Sequence, residues 1–144
     1  VVAAMTAGEL GSDKIKAVVL LAPAAVLRDD AIRGSTMGAT YDPFNLGEYV
    51  ELFRGLKLGA EYIRTAFSLP IYETSAQYQG PALIIHGTGD DNVHFQNTVE
   101  MVRALNRAGK QFDLAIYPDD NHSMVPAGRV HVRDRMVLYT LRNL

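Results

Sequence analysis

The chain has 144 residues, 48% of them hydrophobic and 21% charged, with a formal net charge of −2 and no cysteine. That length suits one small domain, and the composition excludes a disordered chain, a strongly basic nucleic-acid-binding surface, a disulfide framework and a thiolate metal site. No apolar run approaches the roughly 18 to 20 residues of a membrane span, and the first residues lack the basic-then-apolar order of a signal peptide, which by itself assigns no compartment.

Val1 to Gly8 is a run of small apolar residues that reads as a helix. Lys16 to Leu21 contains Ala17-Val18-Val19-Leu20-Leu21, a continuous apolar run of strand length, which predicts a strand buried on both faces of a parallel sheet. Ala22-Pro23-Ala24 ends it. The stretch from about 24 to 80 far exceeds the usual connection of about 4 to 6 residues and reads as a lid insertion. It has turn signals at Asp42-Pro43 and Gly55 and a predicted helix over 58–67. Its aromatic residues Tyr41, Phe44, Tyr49, Phe53, Tyr62, Phe67, Tyr72 and Tyr78 are expected mostly to fill the insertion's own small core. Collectively they suit an aromatic or apolar substrate.

Ala82 to Ile85 reads as the next strand. A helix over 95–108 follows from Val99, Val102 and Leu105, with Gly109 as its C-terminal stop. Phe112 to Tyr117 is a third strand. Val132, Met136, Leu138, Tyr139 and Leu141 predict a last helix over 130–144 that packs on the sheet. Strands alternating with helices predict an α/β fold with parallel strands and flanking helices.

The strand at Ala82 to Ile85 runs into His86-Gly87-Thr88-Gly89-Asp90-Asp91-Asn92, and the third strand runs into Pro118-Asp119-Asp120-Asn121-His122-Ser123. Both segments lie beyond strand C-termini, where open α/β sheets place their chemistry. An Asp there can accept the Nδ1 proton of a His, fix its tautomer and stabilise the imidazolium formed when the His takes a proton from a nucleophile. Asp90 and His122 are therefore the candidate acid and base. The bland alternatives are an Asx turn for Asp90 and a surface-loop imidazole for His122. Asp91 reads as a turn residue, His86 as packing beneath the site, His94 and His131 as solvent or packing histidines, and Asp119 with Asp120 as a solvated acidic loop. The spacing of Asp90, Asp91 and His122 matches no metal motif, and neither a metal nor a cofactor is expected.

A nucleophile is harder to find. The α/β-hydrolase order is Ser, then Asp or Glu, then His, with the Ser in a Gly-x-Ser-x-Gly elbow between strand and helix. None of Ser12, Ser35, Ser68, Ser75 and Ser123 centres such an elbow. The Val1 to Gly8 segment reads as the helix normally found just behind one. The chain is thus expected to be the C-terminal part of an α/β-hydrolase domain, residues 1–144 with the lid at about 24–80. The nucleophile and both oxyanion-hole N–H groups are expected upstream, and the chain alone is expected to be inactive. Its first strand would expose an apolar edge, which calls for a homo-oligomer or a complementing N-terminal fragment.

Residues 1 to about 90 resemble the cinnamoyl and feruloyl esterases, through Val1-Val2-Ala3-Ala4-Met5, Val18-Val19-Leu20-Leu21-Ala22-Pro23-Ala24-Ala25, Thr40-Tyr41-Asp42-Pro43 and Leu69-Pro70-Ile71-Tyr72-Glu73-Thr74-Ser75-Ala76-Gln77. The resemblance implies a carboxylic ester hydrolase whose lid binds a phenolic acyl group, with Asp30 and Tyr62 at positions that bind ring hydroxyls. Met37 stands where a Gln is expected. Residues from about 86 to 144 resemble the catalytic domains of dipeptidyl peptidases in the prolyl oligopeptidase family, through the His86 to Asn97 and Tyr117 to Ser123 segments. There Asp90 and His122 are triad members, Asn92 holds a substrate carbonyl and Val93 lines a proline pocket. Either a recombinant joined near residue 90 or a divergent member would combine both signatures. The substrate classes implied are a small-molecule ester or a peptide, with no nucleic acid and no membrane; a non-catalytic interaction module is the third reading.

Overall fold

A computed structural model describes every residue from Val1 to Leu144. In chain order the elements are α1 (Val2–Leu10), β1 (Val18–Leu21), α2 (Leu27–Arg33), β2 (Ser35–Thr36), β3 (Ala39–Thr40), β4 (Tyr49–Glu51), β5 (Lys57–Gly59), α3 (Ala60–Phe67), α4 (Ile71–Ser75), β6 (Ala82–Gly87), α5 (Gln96–Arg107), β7 (Asp113–Tyr117) and α6 (Pro126–Asn143). Two compact units result, one formed by Val1–Ala25 with Ile71–Leu144 and the other by Val26–Pro70.

The first unit is built on a parallel sheet in the order β1, β6, β7. Val19 lies opposite Leu83, and Ile85 lies opposite both Leu21 and Ala115. Every residue of β6 from Leu83 to Gly87 is buried, as expected of an apolar strand covered on both faces. Strand periodicity divides its side chains between two cores. Ile84 joins Leu20 against Ala4 of α1 and Met101 and Leu105 of α5. Leu83 and Ile85 join Ala115 against Met124 and Val132, the latter from α6. Ile84→Ala is expected to cost about 2–5 kcal/mol, since the removed atoms leave a cavity that a packed sheet refills poorly. A denaturant titration reads this as a lower midpoint at unchanged slope.

The helices follow the pattern with two differences. α5 stops at Arg107, and Gly109 adopts φ +67°, the left-handed conformation that helix ends favour. α6 starts at Pro126, four residues before the expected 130, because Pro supplies the first-turn φ without needing an N–H partner. Val132, Met136 and Tyr139 form its packing stripe. Leu138 and Leu141 do not pack as expected; both are exposed, since they fall on the opposite side of the helix.

In the second unit, α2 and α3 meet through Ala31, Ile63 and Ala66, ringed by Leu27, Tyr41, Leu46, Val50, Leu58 and Phe67. Small residues at the contact leave little room for rings. The expectation that most aromatics fill this core is therefore corrected: Tyr41 and Phe67 pack there, whereas Phe44 is 89% exposed and Phe53 65%. Tyr72 and Tyr78 belong to the first unit, where the Tyr78 hydroxyl donates to the Ile15 carbonyl at 2.8 Å. The predicted helix at 58–67 is also shorter than expected. Lys57–Gly59 pairs antiparallel with Tyr49–Glu51, and the helix begins at Ala60.

Candidate active site

Because β6 and β7 are parallel neighbours, the turn after one and the loop after the other leave the sheet at the same edge. Backbone hydrogen bonds stitch them together. Thr88 N–H donates to the Tyr117 carbonyl at 2.9 Å, and Gly89 N–H to the Asp120 carbonyl at 3.0 Å. Asp119 N–H donates to Thr88 Oγ1 at 2.8 Å. A Cβ on Gly87 would overlap the Asp120 carbonyl, so this approach requires glycine. Asp120 is buried, and its Oδ1 accepts the Val125 N–H at 2.9 Å directly before α6. This corrects the solvated-loop expectation for Asp120, whose carboxylate serves the helix start instead. Asp119 is exposed, as expected.

The stitching brings Asp90 and His122 together. His122 Nδ1 lies 2.8 Å from Asp90 Oδ2, with the carboxylate buried and the ring 42% exposed. Asp90 Oδ1 accepts the N–H groups of Asn92 at 3.0 Å and Val93 at 2.8 Å. One oxygen thus makes the Asx turn while the other faces the imidazole, so the bland and the chemical readings of Asp90 hold at once. With Nδ1 donating to the carboxylate, the exposed Nε2 has a free lone pair and can accept a proton from a hydroxyl.

Burial alone would raise the Asp90 carboxyl. Hydrogen bonds from His122, Val93 and Asn92, with the attraction of His122, more than offset this and hold it below its ordinary 3.8. A carboxyl depressed by folding takes up its proton first in the unfolded chain. The stabilisation it contributes is therefore full above about pH 3.8 and is lost as pH falls through the lower folded value. Denaturation midpoints should consequently fall more steeply with acid in the unsubstituted chain than in Asp90→Asn.

Asn92 is exposed and Val93 half-buried, both on the turn that holds Asp90. Asp30 lies on α2, 3.5 Å from Arg33, and Tyr62 on α3 is 41% exposed; both belong to the second unit. Met37, with φ +52°, is exposed there too. His131 Nδ1 lies 2.8 Å from the Tyr117 hydroxyl, and His94 is exposed. No group of three or more His, Asp or Glu side chains converges as metal ligands would. No helix is long and apolar enough to cross a membrane. Sequence reasoning missed the partners of His86, whose Nδ1 lies 2.6 Å from Thr98 Oγ1 and whose Nε2 lies 2.8 Å from the Val93 carbonyl. Thr98 could have been found as the only polar residue on the inward stripe of α5 besides Asn97, both being buried there.

With this geometry in place, the sequence profile of the prolyl oligopeptidase family matches residues 14–144. The chain belongs to that family. Dipeptidyl-aminopeptidase B of Aspergillus niger is 46% identical over 65 residues, which is 44% of this chain and 7% of that protein. Dipeptidyl peptidase 8 of Homo sapiens is 43% identical over 63 residues, 43% of this chain and 7% of that protein. Among solved structures, Est1E of Butyrivibrio proteoclasticus with ferulic acid bound superposes with a TM-score of 0.84 at 26% identity, over 97% of this chain and 54% of Est1E. This prolyl oligopeptidase family member therefore spans under a tenth of those two peptidase relatives and about half of Est1E. Its parallel sheet with flanking helices is an α/β-hydrolase sheet.

Proposed function

We propose that these residues carry the acid and base of a serine hydrolase that cleaves carboxylic esters of the cinnamoyl and feruloyl type. In this mechanism a serine hydroxyl attacks the ester carbonyl while His122 Nε2 takes its proton, and Asp90 orients the ring and stabilises its charged form. His122 then returns the proton to the departing alcohol. Water repeats the sequence on the acyl-enzyme and frees the acid. The 2.8 Å contact between His122 and Asp90 supports the proton-transfer roles. The ester reading is carried by the likeness to Est1E, which extends over 97% of the chain and so takes in the Val26–Pro70 unit. That unit is the lid in this proposal, with Asp30 and Tyr62 binding ring hydroxyls of the acyl group.

The second reading is a serine peptidase of the dipeptidyl peptidase type, favoured by the 43% and 46% identities to such enzymes. Asn92 would then hold a substrate carbonyl and Val93 line a proline pocket. Steady-state assays of the full-length protein with a feruloyl ester and with an Xaa-Pro anilide separate the two. Ester turnover with little amide turnover is expected, and the reverse ranking would reject the esterase reading. Because no Gly-x-Ser-x-Gly elbow occurs in these residues, the 144-residue chain alone is expected to turn over neither. β1 pairs only with β6, so its free edge is expected to bind a nucleophile-bearing segment or a second copy.

A further inference from the structure

His86 is fully buried near the end of β6 and takes no part in the proton transfer described above. Three neighbours define its state. Nε2 lies 2.8 Å from the Val93 carbonyl, which can only accept, so Nε2 must carry a proton. Nδ1 lies 2.6 Å from Thr98 Oγ1, a hydroxyl able to donate into a bare ring nitrogen. Phe95 meets the ring edge-on at a centroid distance of 5.5 Å.

The same Nε2 lies 3.3 Å from Asp90 Oδ2, the oxygen that faces His122. Asp90 is the one carboxylate at the ring; no other ionisable side chain contacts it apart from His122 acting through that oxygen. Val93 is held at both ends, its N–H by Asp90 Oδ1 and its carbonyl by His86. The carboxylate therefore sits between two backbone N–H groups on one oxygen and two imidazoles on the other.

We propose that His86 is a positioning residue, a neutral Nε2–H imidazole locked by Thr98 that fixes the Asp90 carboxylate, and the Val93 turn around it, in the orientation that His122 needs. The proposal rests on the acid–base reading of Asp90 and His122. It makes the buried histidine part of a relay of orientation, from Thr98 on α5 through His86 to Asp90 and then His122. No proton moves along this relay. Gln at position 86 can present an N–H close to where Nε2 stands, whereas Leu cannot.

Long-range ¹H–¹⁵N NMR of the 144-residue chain tests it. His86 is expected to be protonated on Nε2 and bare on Nδ1. The His122 Nδ1 proton should give a low-field resonance in the unsubstituted chain and in His86→Gln, and lose it to exchange in His86→Leu. A His86 ring protonated on Nδ1 would overturn the proposal whether or not the leucine variant folds. So would an unchanged His122 resonance in a folded His86→Leu chain. Failure of the hydrolase reading shows separately, as absent ester and amide turnover in the full-length protein.

Discussion

His122→Ala in the full-length protein is expected to lower kcat by about 10⁶-fold, the scale measured when a triad base is removed. The reason lies in the site's asymmetry. His122 Nδ1 is committed to Asp90 at 2.8 Å, and in the proposed mechanism Nε2 takes the proton of the nucleophile and returns it to the leaving group. Alanine removes both transfers at once and leaves binding groups elsewhere intact, so KM should change far less than kcat. Circular dichroism should stay near that of the unsubstituted protein because the ring is 42% exposed, while the denaturation midpoint should fall, since the buried Asp90 carboxylate loses the hydrogen bond of His122. A loss below about 100-fold, under the usual range of general acid–base catalysis, would remove His122 from the proton transfer.

Asp90→Asn is expected to cost about 10⁴-fold in kcat, through tautomer rather than shape. Asn can keep an oxygen toward the Asn92 and Val93 N–H groups, which preserves the turn. Its NH₂ then replaces Oδ2, where His122 Nδ1 and His86 Nε2 both approach. Donor faces donor, and the His122 ring relieves this by moving its proton to Nε2, where it can no longer accept one. Steady-state kinetics should show the loss in kcat, and NMR should show the His122 proton relocated. Full activity in a folded Asp90→Asn protein would exclude Asp90 as the acid.

The meeting of Asp90 and His122 is legible in the sequence because strand ends, glycine turns and a His at a 32-residue interval each leave a local mark. The central strand is legible for a related reason: Ala82–Gly87 is buried from Leu83 onward, so its apolar run is uninterrupted, whereas the same expectation for Val18–Leu21 is corrected, because this strand lies at the sheet edge with only Leu20 buried and Leu21 47% exposed. What is not legible depends on backbone brought from elsewhere. Asp120 reads as one more exposed acid until the Val125 N–H is seen above it. His86 reads as packing because the Val93 carbonyl that defines its tautomer reaches it only once the turn is folded. The aromatics between 41 and 67 misled for a different reason. Burial tendencies describe a residue type, while the close contact of α2 and α3 is made by Ala31, Ile63 and Ala66.

An active-site fluorophosphonate, applied in parallel to the 144-residue chain and to the full-length protein with intact-mass and peptide mapping, probes the proposed acid and base together with the expectation that none of these 144 residues is the nucleophile. No adduct on Ser12, Ser35, Ser68, Ser75 or Ser123 is expected, and labelling of the full-length protein at a serine outside these residues should vanish in His122→Ala. An adduct on any of those five serines, no labelling of the full-length protein, or labelling indifferent to His122 would contradict it.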